Sequence, residues 1–141
     1  MKTIDRFTGE YRWLSNFWPT IVWYNGEMYG SVEHAYQAAK TLDTADRAWI
    51  RSLSSPWAAK RAGRSVVLRK DWETYRLAIM YELVRHKFED DDGLRAKLLA
   101  TGDAELVEGN HWGDTFWGVC GGKGRNELGK ILMRVRGELR T

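Results

Sequence analysis

The chain has 141 residues, with 22 Lys and Arg against 19 Asp and Glu, a formal net charge of +3. That length suits one domain spanning residues 1–141 around a single core, and 43% hydrophobic with 29% charged residues suits a soluble globular protein. No apolar run approaches the roughly 18 residues that span a bilayer, and a lone cysteine, Cys120, excludes an internal disulfide and argues against a cysteine-based zinc site.

The residues Met1–Arg6 hold no apolar signal core, so a cytoplasmic location is expected. The mild positive charge permits a phosphate-bearing ligand or nucleic acid without demanding either. Eight tryptophans are many for this length. Most should be core, because large aromatics bury the most area. Trp13, Trp18, Trp112 and Trp117 sit among Gly, Asn and Pro, where loop aromatics can wall a flat ligand.

Taken in order, Ile4 to Phe7 reads as a short strand and Thr8-Gly9-Glu10 as a turn. Trp13 to Pro19 is aromatic without helical period, and Pro19 forbids a helix running through it, so an ordered loop is expected. Asn16 there either bonds its own backbone or offers a ligand contact beside Ser15. Ile21 to Tyr29 is a hairpin pattern, with Asn25-Gly26 suited to a type I′ turn.

Ser31 is a good N-cap, and the run that follows lacks Gly and Pro, so a helix begins here. Glu33, Tyr36, Gln37 and Lys40 then fall at i, i+3, i+4 and i+7, on one stripe. Val32, Ala35, Ala39 and Leu42 form a neighbouring apolar stripe that should face the core. The acid, amide and amine are either an exposed face of an amphipathic helix or the edge of a site.

Leu42 to Leu53 reads as a second helix with Ala45, Trp49 and Leu53 on one face. Ser55 caps a third, with Pro56 at its first position and an end near Gly63. Lys60, Arg61, Arg64, Arg69 and Lys70 make a basic cluster, either a solvated face or an attraction for phosphate. Asp71 is placed to cap a long helix to about Glu89, with Trp72, Tyr75, Ile79 and Leu83 as its apolar stripe. The run Asp90-Asp91-Asp92-Gly93 lacks the spacing and distal Glu of a calcium loop. A short helix over Leu94–Ala100 and a strand over Ala104–Glu108 follow.

Gly109 to Gly124 is a long glycine-rich loop, and such loops inside compact domains tend to be functional. It carries Lys123 and leads, at Arg125-Asn126, into a last helix whose apolar face is Leu128, Ile131, Leu132, Val135 and Leu139. Free N–H groups and the dipole at such a helix start attract phosphate. The loop matches neither a Walker A pattern nor a dinucleotide-binding fingerprint. His34, His86 and His111 form no metal-ligand pattern, so neither a metal nor a cofactor is expected.

Several patterns combine in one order: Phe7-x-Gly9, Leu14-Ser15-Asn16-Phe17, Ser31-Val32-Glu33-His34-x-Tyr36-Gln37-x-x-Lys40, Ser54-Ser55-Pro56-x-x-Ala59, Arg69-Lys70-Asp71-Trp72, Trp112-Gly113-Asp114 and Gly122-Lys123-Gly124-x-Asn126-x-Leu128-Gly129. This set resembles the NADAR family, the YbiA-like N-glycosidases, over nearly the whole chain. The resemblance implies a mainly α fold with a few short antiparallel β-strands, α+β in class. It implies cleavage of a bond between a ribose and a nitrogen. The expected substrate is guanine ADP-ribosylated on its amino group, in DNA or as a nucleotide. The alternative is a ribosylamino-pyrimidine intermediate of early riboflavin synthesis. Some family members act as antitoxins, so a separately encoded ADP-ribosyltransferase toxin is an implied partner. A membrane is not.

The same resemblance makes Glu33, Lys40 and Asp114 the catalytic candidates. Glu33 would exchange the proton of the leaving nitrogen. Lys40, once neutral, would attack the sugar carbon to form a Schiff base, which requires a pKa below the ordinary lysine value of about 10.4. Its competing role is an ion pair with Glu33, worth about 0.3–0.5 kcal/mol on an exposed face. Asp114 would orient water or a ribose hydroxyl. Trp72 and Trp112 would stack on a base. Phe7, Gly9, Ser15, Asn16, Phe17, His34, Gln37 and Gly113 would line the pocket, and Lys123, Gly124 and Asn126 would hold phosphate. A third reading, from another class, is a module that binds ADP-ribose or nucleic acid without turnover. The Glu33, Lys40 and Asp114 trio argues against it.

Overall fold

The structure is a computed structural model that describes residues 2–140. In chain order its elements are β1 (Thr3–Ile4), a 3-10 helix (Gly9–Leu14), β2 (Val22–Tyr24), β3 (Glu27–Tyr29), α1 (Val32–Ala39), α2 (Thr44–Ser52), α3 (Pro56–Ala62), α4 (Trp72–Glu89), α5 (Asp92–Ala100), β4 (Glu105–Leu106), β5 (Gly109–Asn110), β6 (Val119–Cys120) and α6 (Glu127–Leu139). This is the expected mainly helical α+β class. No helix among the described residues is long and apolar enough to cross a membrane.

Two compact units emerge. One is Asn16–Lys87; the other joins the chain up to Ser15 with the chain from Phe88 onward. In the first unit the β2–β3 hairpin is antiparallel, pairing Val22 with Tyr29 and Tyr24 with Glu27. Its turn uses positive φ at both Asn25 (50°) and Gly26 (81°), as a type I′ turn requires. α1 packs against α2, α3 and both hairpin strands, and all eight of its residues are buried. The small Ala35, Ala38 and Ala39, each fully buried, let those neighbours approach closely.

Local chemistry explains the starts of these helices. Ser31 Oγ accepts from the His34 N–H, Asp43 from Asp46 and Ser55 from Ala58. Ahead of α4, the Asp71 carboxylate accepts from Arg69 Nε at 2.5 Å and Nη2 at 3.0 Å. The sequence reading of three apolar faces needs correction. Leu42 is 65% exposed and Tyr75 48%. On α2 the buried side chain is Ile50, with Trp49 outside.

In the second unit β1 pairs with β4, and β5 with β6. Both pairs are parallel, not antiparallel like the hairpin, and neither is joined by a tight turn. The segment read as an ordered loop from Trp13 starts inside the 3-10 helix, and the glycine-rich loop contains β5 and β6. α6 turns Leu128, Ile131, Leu132 and Val135 inward and packs on β4 and α5. Trp13 meets Phe88 edge-on at 6.2 Å. Of the eight tryptophans, only Trp13 and Trp72 are buried; Trp23, Trp49, Trp57 and Trp112 are exposed. Leucine and alanine are the commonest residues of the buried core.

Candidate functional site

In the Asn16–Lys87 unit the expected stripe exists, and it is not a solvated face. Glu33 is 8% exposed and Gln37 4%. Burying these groups is tolerable only with hydrogen bonds. Gln37 Nε2 donates to Glu33 Oε2 at 2.5 Å. The Glu33 backbone N–H donates to the Asn16 carbonyl at 3.0 Å, and Asn16 Nδ2 reaches Met80 Sδ at 3.5 Å. The Leu14–Phe17 segment thus contributes through Asn16, which ties the start of α1 to α4.

The stripe is buried because α3 lies on it. Gly63, just past α3, packs against the Gln37 side chain so closely that a Cβ would collide with Oε1. Gln37 Oε1 is itself buried without a hydrogen-bond partner among the described residues. Glycine is needed here for space alone, since its φ is −60°.

Lys40 ends α1. Its Nζ lies 5.4 Å from the Tyr36 ring centroid, and Tyr36 leans on Trp72 at 5.2 Å. Burial pushes the Lys40 amine below its ordinary pKa, the nearby Glu33 carboxylate pulls it back up, and the Arg64 and Lys60 cations push it down again. The net direction is down, the condition the sequence reading set for a lysine nucleophile. Trp72 is 5% exposed and backs Tyr36 rather than presenting an open face to a base.

His34 does not line an open pocket. Nε2 lies 2.9 Å from the Leu53 carbonyl and Nδ1 2.7 Å from Ser31 Oγ. A carbonyl only accepts, so Nε2 carries the proton and, in the neutral ring, Nδ1 accepts from the Ser31 hydroxyl. The imidazole fastens α1 to the end of α2. Phe17 meets Trp57 edge-on at 4.8 Å, with Lys60 Nζ over both rings. Residues 41–43 and 67–71 wall an open cleft of about 570 Å³. It adjoins the stripe through the Arg69 N–H, which donates to the Lys40 carbonyl at 2.7 Å, but neither Glu33 nor Lys40 lines it.

The remaining candidates, Phe7, Gly9, Ser15, Trp112, Gly113, Asp114, Lys123, Gly124 and Asn126, belong to the other unit. Phe7 is buried there, 6% exposed. Gly9 opens the 3-10 helix at φ 60°, and Ser15 closes it, its N–H donating to Arg12. Asp114 Oδ1 accepts from the Phe116 and Trp117 N–H groups at 3.1 and 2.9 Å. The Asn110 carboxamide clasps the Asp114 backbone from both ends, at 2.9 and 3.1 Å. Asp114 therefore organises its own loop. Trp112 is 54% exposed at the loop's tip beside Gly113, whose φ is 88°.

The start of α6 offers less to an anion than its sequence suggested. The N–H groups of Arg125, Asn126, Glu127 and Leu128 all donate to carbonyls of residues 115–118. Asn126 accepts from the Glu108 N–H and donates to the Leu106 carbonyl, each at 2.9 Å. Gly124, at φ 151°, is pressed against the Gly118 carbonyl, where a Cβ would collide. Lys123 is exposed. Asn126 and Gly124 thus serve the packing of the loop. Tyr36 falls on the stripe as its spacing indicated, and Lys60 and Arg64 come from the basic cluster, but the sequence reading did not join them to α1. Gly63, read only as the end of α3, is the residue it missed, because its role depends on α3 folding onto Gln37. No group of three or more His, Cys, Asp or Glu among the described residues could hold a metal ion.

The chain is similar to known proteins over nearly its whole length. A family model described as the NADAR domain matches residues 5–140. The N-glycosidase YbiA of Escherichia coli (strain K12) is 45% identical over 135 residues, covering 92% of this chain and 82% of that protein. An N-glycosidase of Nostoc punctiforme is 41% identical over 137 residues, covering 93% of this chain and 87% of that one. A riboflavin biosynthesis protein of Vibrio vulnificus is 43% identical over 129 residues, covering 89% of this chain and 35% of that longer one. The NMR structure of Escherichia coli YbiA superposes with a TM-score of 0.88 at 41% identity, covering 98% of this chain and 84% of that chain.

Proposed function

This chain belongs to the NADAR domain family, and we propose that it is an N-glycosidase that cleaves the bond between a ribose C1 and an exocyclic amine. One observation carries the reading. A carboxylate and an amine share one face of a buried helix, and burial lowers the pKa of the amine.

The chemistry follows from those two groups. The nitrogen lone pair opens the ribose ring to an imine at C1 while the ring oxygen takes a proton. The neutral Lys40 amine adds to C1, and the base leaves as a free amine carrying a proton. Water then hydrolyses the lysine Schiff base, returning Lys40 and releasing the sugar with its aldehyde carbon. Glu33 exchanges the protons, held by Gln37. The balance is one water consumed, one ribose and one amine released. In the competing route Glu33 protonates the leaving nitrogen and water attacks C1 directly, with Lys40 only an ion-pair partner. The lowered Lys40 pKa supports the first route.

We carry two substrates. The first is guanine ADP-ribosylated on its amino group, in DNA or as a nucleotide, which would fit an antitoxin against a separately encoded ADP-ribosyltransferase. The second is a ribosylamino-pyrimidine of early riboflavin synthesis, supported by similarity to riboflavin biosynthesis proteins of Vibrio vulnificus and, at 34% identity, of maize. The protein is incubated with both, and released sugar phosphate is followed by mass spectrometry. Release of ADP-ribose from modified DNA alone selects the first, and release from the pyrimidine alone the second. Binding without release from either overturns the enzyme reading in favour of a non-catalytic module.

A further inference from the structure

The Lys40 amine feels the Glu33 carboxylate as an opposite charge and Arg64 and Lys60 as like charges. Glu33 Oε2 is already engaged by Gln37. Both cations come from the end of α3, the stretch that Gly63 brings into contact with Gln37. Lys60 Nζ is held above two aromatic rings, 5.9 Å from that of Phe17 and 5.7 Å from that of Trp57. Trp57 is 59% exposed, so this aromatic edge is open to a ligand. Arg64 is exposed one turn further on. Cations gathered beside a half-buried amine repel one another, and an incoming anion relieves that repulsion.

We infer that the end of α3, with Lys60 and Arg64 beside the Phe17–Trp57 edge, seats a phosphate carried on the ribose of the substrate. The inference rests on the reading of this site as one for a ribosylated amine and deepens it by relocating the anion subsite from the α6 start. Arg64 supplies a planar fork for two phosphate oxygens, and Lys60 a point charge steadied by the rings. The arrangement orients the sugar so that C1 meets Lys40. Phosphate bound there offsets the two cations, but burial, the largest cause of the Lys40 shift, remains.

The test uses methyl ribofuranoside 5-phosphate and methyl ribofuranoside as probes, titrated calorimetrically into the full chain at low ionic strength. Neither probe has a free aldehyde, so no Schiff base forms and binding is read apart from turnover. The phosphorylated glycoside should bind about 10-fold tighter or more, the scale of one or two charge-assisted hydrogen bonds. Lys60→Gln/Arg64→Gln should erase that preference, while Lys97→Gln/Lys130→Gln, which removes the same charge elsewhere, should keep it. Lys60→Gln alone should reduce it in part and serves if the double variant melts early. Equal or undetectable binding of both glycosides by the wild type would overturn the inference, as would a preference that survives in the Lys60→Gln/Arg64→Gln variant. The enzyme reading would outlive that result, because sugar release and covalent trapping do not depend on it.

Discussion

Gly63→Ala isolates the contact that presses on the Gln37 amide, the group that holds Glu33. The backbone there is helical, φ −60° and ψ −19°, so alanine brings no dihedral strain. Through the unfolded chain alone, such a change stabilises by about 0.4–1 kcal/mol. The new Cβ would collide with Gln37 Oε1, stand 2.7 Å from Gln37 Cδ and 3.2 Å from Gln37 Cβ. Overpacking of this kind costs about 1–3 kcal/mol, so the net is about 0–2.6 kcal/mol of destabilisation. At this chain length that lowers Tm by about 2–4 °C per kcal/mol. The larger effect should be on activity. Gln37 cannot move without releasing Glu33, held at 2.5 Å, and a misplacement of about 1 Å can cost about 100-fold in rate. The assay pairs thermal melts with kcat/KM for Gly63→Ala, Gln37→Ala and the double variant. The double variant should recover much of the lost Tm, because the clash is gone, yet remain as slow as Gln37→Ala. Unchanged kcat/KM with an unchanged or raised Tm in Gly63→Ala would refute the claim that this contact positions the acid.

Three further expectations follow from the geometry. Asp114→Ala should loosen its loop by about 1–2 kcal/mol through two lost backbone hydrogen bonds. Asp114→Asn keeps the Oδ1 acceptor and should retain most activity; a loss as deep as that of alanine would mean the charge itself takes part. The limb of kcat/KM that reports a neutral amine should rise at a pH below the ordinary lysine range. It should move to higher pH in Lys60→Gln/Arg64→Gln, since removing like charges raises the Lys40 pKa. A limb that stays put would sever Lys40 from those cations. Lys87 is 1% exposed, and burial lowers its pKa to about 7. The unfolded chain therefore holds a proton that the folded chain lacks between about pH 7 and 10.5. Stability rises with pH across that window, by up to about 1.4 kcal/mol per pH unit from this group. Urea unfolding of Lys87→Met should lack that rise, and parallel stability curves for the two proteins would contradict it.

Much of the fold was legible because its signals are local. The Ser31 and Ser55 caps, Pro56 in the first turn of α3 and the Asn25-Gly26 turn each act over a few residues. So does the spacing that puts Glu33, Gln37 and Lys40 on one side of α1. What covers that side was not legible, because it depends on α3 arriving from twenty residues on and on a missing side chain at Gly63. Long-range bonds likewise decide the roles of His34, bound to Leu53 at 2.9 Å, and Asn126, bound to Leu106 at 2.9 Å. Both residue types suit a ligand site as well as a buried clasp, and only the partner tells them apart. Strand direction in the two parallel pairs and the exposure of Trp49 and Trp57 depended on the same distant packing.

The most direct measurement is borohydride trapping during turnover, read by intact mass and peptide mapping. A sugar adduct should appear on Lys40 when the ribosylated amine is present, and should be absent from both Lys40→Ala and a no-substrate control. Undiminished turnover by Lys40→Ala, with no adduct on the wild-type protein, would contradict the assignment of the amine on α1 as the group that takes the sugar.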